Sequence, residues 1–287
     1  MIELRVGGVP EHFNLPWHLA VEARVPERLG VGLTWRDYPD GSGAMAAALR
    51  SGELDAALLL TEGAMAGIAN GGGFKIASLY TESSLIWGIH VPARSQFASV
   101  GDIRGARYAI SRLGSGSHLM AVVHARAQAW PVDTLEWVTV RNLAGAIDAF
   151  ASGAADVFFW EKFMTKPLVD DGRFRRVGEF LAPWPAFVVC VADCVGAPQR
   201  AALRALVAAV LAEAATMVAR QDASVVIGQR YSLAPDDVAE WLRVTRWASD
   251  VGVETSDLTQ VTAALQDLQL VPPTFQPESA LLPLNGS

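Results

Sequence analysis

The strongest constraint on the fold of this chain is a strand–loop–helix alternation that recurs through its first ninety residues. Residues 2–6 form a short β-like run, followed by the loop GGVPEHFN and by apolar residues at helical spacing over 15–29. Residues 32–38 are β-like again, and PDGSG (39–43) is dense in chain-breaking residues. The helix-forming stretch 44–50 leads into DAALLL (55–60), after which a helical stretch runs to the stop Asn70-Gly71-Gly72-Gly73. Residues 74–80 close the set as a further strand. Strands separated by helices predict a parallel sheet covered by helices on both faces. A strand buried on both sides is continuously apolar, as DAALLL is.

A second set follows the run LIWGIHV (85–91). SVGDIRG (99–105) predicts a helical turn, ARYAIS (106–111) a strand, RLGSGSH (112–118) a Gly/Ser loop, and the next stretch a helix to about Trp130. Residues 134–140 predict a strand, 142–152 a helix, and ADVFFW (155–160) and FVVCVA (187–192) two more strands. Four helical stretches then occupy 198–220, 223–231, 235–250 and 256–270. Pro235 stands where a helix begins, a position that needs no N–H. The Pro-rich end, residues 272–287, is expected to wrap loosely or fray. Placing the crossovers near 86–92 and 186–192 gives two lobes. Residues 1–88 with 190–287 form a discontinuous first lobe, and residues 89–189 form the second.

Composition narrows the function. A chain of 287 residues suits two cores better than one, and 51% hydrophobic with 18% charged residues argues against disorder. The net charge is −7 and no basic run occurs, so nucleic acid is not an expected partner. The most apolar segment, 201–219, is interrupted by Arg204 and Glu213 and predicts a buried helix, not a membrane span. MIELRVGGVP already has the pattern of a strand and loop, with no secretory signal. The expectation is therefore cytoplasmic as the chain stands, or periplasmic if a signal segment was removed. Cys190 and Cys194, the only cysteines, are expected as core or hinge thiols, with a disulfide or metal pair as the alternatives.

Open α/β sheets bind ligands beyond the carboxyl ends of their strands. That rule selects Glu11, His12, Asn14 and Trp17 after the first strand, Ser42 and Gly43 after the second, and Thr61 and Glu62 after the third. In the second set it selects Ser115, Gly116, Ser117 and His118, then Asn142, then Trp160 and Glu161. GSG (41–43) and GSGS (114–117) each open a helix, and free N–H groups at a helix start favour an anion. Ordinary helix capping explains either loop equally well. Glu11, Glu62 and Glu161 point instead to an amine or a protonated ring nitrogen, and a ligand carrying both groups reconciles the two signals. Trp17, Trp160 and Trp184 stand where they can stack on a flat ligand. The histidines have no metal spacing, and no P-loop, nucleophile elbow or dinucleotide fingerprint is present. Neither a metal nor a cofactor is expected.

The runs GGVPEHFNLPWHLA, DGSGAMAAALRSGELDAALLLTEG, ISRLGSGSHLMA and FFWEKFMTKPLVD resemble the type II solute-binding proteins of ABC importers. They are most similar to the nitrate/sulfonate/taurine-binding group and its thiamine-pyrimidine-synthase-like relatives, over roughly residues 2–230. The resemblance implies a two-lobed periplasmic-binding-protein-like II fold with a ligand cleft between lobes and a helical C-terminal segment. It also implies hinge closure over a small polar metabolite, zwitterionic or anionic. The implied ligand contacts are Asn14, Ser42, Gly43, Thr61, Glu62, Ser115, Gly116, Ser117 and Glu161. The implied partner is an ABC permease, and the implied state a monomer that is not membrane-embedded. The alternative is a cytoplasmic enzyme of the same fold acting on a small cyclic acid or pyrimidine precursor. For that reading Lys162 and Lys166 are the nearest lysines, and the cysteine-rich motif of the pyrimidine synthases is missing.

Overall fold

The computed structural model describes residues 1–282; the final five residues of the expected loose tail lie outside the described residues. In chain order the elements are β1 (Ile2–Gly8), α1 (Leu15–Glu22), α2 (Val25–Arg28), β2 (Val31–Asp37), α3 (Ser42–Ser51), β3 (Ala56–Leu60), α4 (Thr61–Ala69) and β4 (Phe74–Pro92). They continue with β5 (Arg107–Ile110), α5 (Gly116–Ala127), β6 (Glu136–Thr139), α6 (Leu143–Ala151), β7 (Val157–Glu161), α7 (Lys166–Asp170) and β8 (Phe174–Ala192). The helices α8 (Ala197–Ala219), α9 (Ala223–Tyr231), α10 (Pro235–Val244) and α11 (Thr255–Asp267) complete the chain, with 3₁₀ turns at His12–Asn14, Val100–Ile103, Val132–Thr134 and Pro277–Ala280. The chain divides into two compact units, residues 1–84 with 183–287, and residues 85–182. Both unit boundaries fall inside the long strands β4 and β8.

In the first unit the strands run in the order β2-β1-β3-β8. β1 pairs in parallel with β2 and β3, whereas β8 is antiparallel to β3, with Leu60 opposite Phe187. The second unit orders its strands β4-β7-β5-β6, with β5 parallel to both β6 and β7 and β4 antiparallel to β7. The expected parallel arrangement therefore holds for β2-β1-β3 and for β7-β5-β6, and each unit adds one antiparallel strand. α8 is by length and composition apolar enough to cross a membrane. In the fold its stripe Leu203, Leu206, Val207, Val210, Leu211, Ala214 and Met217 is buried, and it packs on α1 and β1. That i, i+3, i+4, i+7 spacing is the pattern of a core-facing helix.

The two units repeat one construction. In the first, Arg5 donates from its backbone N, Nε and Nη2 to the Asp55 carboxylate at 2.7, 3.0 and 2.6 Å. In the second, Arg107 makes the same bonds to Asp156 at 3.0, 2.9 and 2.8 Å. Each Asp follows a helix that stops at a left-handed glycine, Gly52 at φ 73° and Gly153 at φ 70°. Glycine takes that conformation without the steric cost that a Cβ adds. The sequence carries the repeat as Ser51-Gly52-Glu53-Leu54-Asp55 and Ser152-Gly153-Ala154-Ala155-Asp156.

Several elements depart from the sequence expectation for local reasons. The helix expected over 15–29 breaks at Arg24, which adopts φ 54°, and Pro26 stands in the first turn of the short α2. The strand expected at 74–80 runs on through LIWGIHV (85–91) as one strand. Its polar middle stays extended because Glu82 N donates to Arg246 O at 3.0 Å and Ala248 N to Tyr80 O at 3.0 Å. β8 begins at Phe174 rather than near 187 and runs through Pro183 and Pro185, whose fixed φ suits extended backbone. The described tail is held: Leu282 N donates to Ile76 O at 2.8 Å, and Ser279 O accepts from the Lys75 ammonium. Cys190 is a buried core thiol and Cys194 is exposed; both are free. Among the described residues no cluster of His, Cys, Asp and Glu could hold a metal ion.

Candidate functional site

In the first unit the strand-end residues gather a set of buried polar groups. The register of β3 and β8 carries Thr61 and Glu62, the first residues of α4, alongside Trp184 and Pro185. Thr61 Oγ1 donates to Pro185 O at 2.5 Å, and Trp184 Nε1 donates to Glu62 Oε2 at 2.8 Å. Glu62 is 1% exposed, and its Oε1 has no hydrogen-bond partner. Burial pushes this carboxyl up to about 7, opposed by its own backbone amide in the first turn of α4 and by Trp184. Ser42 Oγ accepts from Leu60 N at 3.1 Å, tying the start of α3 to the end of β3, with Gly43 beside it in the first turn.

The turn after β1 adds His12 and Asn14. Asn14 Nδ2 donates to Val9 O at 2.8 Å, which orients the amide and leaves the buried Oδ1 without a donor. His12 is fully buried and both ring nitrogens lack partners. Its ring lies 4.1 Å from that of Trp241 and 4.8 Å from that of Phe13, with Tyr231 at 6.1 Å. Burial lowers its pKa to about 3, so the imidazole is neutral at physiological pH. Glu11 is partly buried, and burial raises its carboxyl to about 7. Trp17 is fully buried against Trp35, ring centroids 5.5 Å apart, with Nε1 unpaired.

In the second unit the Gly/Ser loop opens α5. Ser115 Oγ donates to Arg112 O at 2.7 Å, and Ser117 Oγ accepts from Ser111 N at 3.0 Å. The two hydroxyls lie 3.1 Å apart. Both are therefore bound within the loop, and no side chain caps α5, whose first amides begin at Gly116. His118 Nδ1 accepts from Gly114 N at 3.1 Å, and burial lowers its pKa. Asn142 Oδ1 accepts from Gly145 N at 3.1 Å, an N-cap for α6. Trp160 stacks on Phe158 at 4.9 Å and packs on the unit's apolar core. Glu161 Oε2 accepts from Phe163 N and Met164 N at 2.9 and 2.7 Å, closing the turn after β7. Of the two lysines, Lys162 pairs with Glu179 at 3.1 Å and Lys166 with Asp170.

The course of the chain through these two units matches that of solved structures along almost its whole length. The Candida albicans CA3427 gene product, described as having the generic periplasmic binding protein fold, superposes with a TM-score of 0.90 at 21% identity, covering 98% of this chain and 96% of that one. The fold is that of the periplasmic binding proteins. The alkanesulfonate-binding protein SsuA of Xanthomonas axonopodis pv. citri, bound to MOPS, shares this fold with a TM-score of 0.84 at 18% identity over 99% of both chains. The periplasmic aliphatic sulphonate binding protein SsuA of Escherichia coli has a TM-score of 0.75 at 17% identity, covering 98% of this chain and 97% of that one. Residues 87–180 match the Ca3427-like PBP sequence family. No curated protein sequence matches the chain.

Within this fold the structure gives the chosen residues different surroundings. Glu62, Asn14, His12 and Trp17 retain unpaired polar atoms, whereas the polar side chains of Asn142, Ser115 and Ser117 already have partners in their own loops. Tyr231 and Trp241 border His12 from the C-terminal helices, each with its own unpaired polar atom. No local sequence signal marks them, because only tertiary packing brings α9 and α10 to the turn after β1.

Proposed function

We propose that this chain is a solute-binding protein that takes up a small polar metabolite at the strand-end residues of its units, by hinge closure, as the substrate-binding component of an ABC importer. The observation that supports the reading most is the match along nearly the full chain to proteins with the periplasmic-binding-protein fold, two of which are named for the sulfonates they bind. Periplasmic residence and a permease partner belong to the same reading. The uncapped start of α5 supplies N–H groups suited to an acidic ligand group. Glu62, with one oxygen unpaired, suits a hydrogen-bond donor.

The enzyme reading has weaker support. Lys162 and Lys166 are both ion-paired, with Glu179 and Asp170. A thermal-shift screen followed by small-angle scattering tests the proposal. A compound that raises the melting temperature should also reduce the radius of gyration and be recovered unchanged. A stabilising compound that leaves the radius unchanged argues against hinge closure, and one that is chemically converted argues for an enzyme.

A further inference from the structure

We propose that Glu62 anchors a nitrogen base, so that the ligand is a protonated amine, an amidine or an amino-heterocycle rather than a bare oxyanion. This rests on the binding reading above and narrows its ligand class. Glu62 is 1% exposed, its Oε2 takes the Trp184 N–H at 2.8 Å, and its buried Oε1 has no partner. Buried polar atoms are almost always paired, and an exception marks a place for an absent partner. The groups already engaging this carboxylate are donors: the indole N–H, which cannot accept, and the amide of Glu62 itself in the first turn of α4. Burial raises the carboxyl to about 7 against these two donors, and once ionised its Oε1 needs a further donor.

Asn14 Oδ1 makes the same demand in the same unit, since Nδ2 is taken up by Val9 O and the buried Oδ1 has no donor. Nitrate and simple alkanesulfonates offer acceptors alone, so neither supplies a donor to the ionised carboxylate or to Asn14 Oδ1. Trp17 Nε1 and both His12 ring nitrogens are unpaired in the same unit.

The test compares two probe sets by thermal shift and titration calorimetry: putrescine, agmatine and cytosine against nitrate, ethanesulfonate and succinate. The expected result is saturable binding from the nitrogen-base set, weakened at least tenfold by Glu62→Gln. For putrescine or agmatine, which stay protonated, affinity should rise between pH 6 and 8 as the carboxyl ionises. If Glu62→Gln does not fold, Trp184→Phe serves instead and should move that rise to higher pH. Binding of the oxyanions with unchanged affinity in Glu62→Gln overturns the inference and leaves the binding reading intact. No response to any nitrogen base also overturns it, and silence from both sets counts against the binding reading too.

Discussion

Trp184 Nε1 donates to Glu62 Oε2 across 2.8 Å, joining β8 to the first turn of α4. The bond fixes the orientation of a buried carboxyl group that no cation balances among the described residues. Burial raises the folded-state pKa of Glu62 to about 7, above its ordinary value of 4.5. Between those values the folded chain holds a proton that the unfolded chain has lost, so this group's contribution to stability falls as pH rises through the window. Glu62→Gln removes the titration. The stability of the Gln variant relative to wild type should therefore improve from pH 5 to pH 7 by on the order of 1 kcal/mol per pH unit, then level off. Denaturant melts of both proteins across that range check this. A difference independent of pH would mean that Glu62 titrates normally.

Ser117 and Asn142 should behave mainly as structural residues. Ser117 is 2% exposed and its Oγ satisfies Ser111 N, so Ser117→Ala should cost about 1–3 kcal/mol by leaving a buried amide unpaired. Asn142→Ala should cost about 1 kcal/mol through loss of the α6 cap. Chemical denaturation measures both. Wild-type stability in Ser117→Ala would contradict the hydrogen bonding described for the Gly/Ser loop.

The repeated Arg–Asp clasp has a pH signature of the opposite sign. Hydrogen bonds from Arg107 hold the Asp156 carboxyl below its ordinary range, against partial burial that raises it. Its contribution is complete above the unfolded value near 3.8 and is lost as pH falls through the folded value. Asp156→Asn should destabilise by about 1–2 kcal/mol at pH 7, a modest figure because both side chains are partly exposed. The gap to wild type should shrink below pH 4. A gap that persists at pH 2–3 would place its origin in packing rather than charge.

His12 supplies a test of packing against polarity. Its ring sits 4.1 Å from that of Trp241 with two unpaired nitrogens. His12→Phe keeps an aromatic ring and removes both orphaned atoms, so melting should stay level or rise, by up to about 2 kcal/mol. A large loss of stability would show that the nitrogens have partners in solution.

The periodicity of the chain made the α/β architecture legible, because DAALLL, ADVFFW and FVVCVA are buried strands that contain few polar residues. The polar residues 81–84 concealed the continuity of β4, which depends on pairing with residues 246–248, far along the chain. Pro183 and Pro185 hid the first half of β8 in the same way. At the candidate site the strand-end rule reached Glu62, Asn14 and His12. It could not separate them from Asn142 or Ser117, because whether a polar atom is already bonded within its loop is decided by backbone geometry. The Arg5–Asp55 and Arg107–Asp156 clasps were visible only as two Ser-Gly-x-x-Asp segments, whose partners lie some fifty residues away.

The most direct measurement is calorimetric titration of the leading thermal-shift compound, with mass spectrometry of the recovered compound. A solute-binding protein gives one saturable site per chain and returns the compound unchanged. Conversion of the compound, or the absence of saturable binding by any compound tested, would contradict the proposed function.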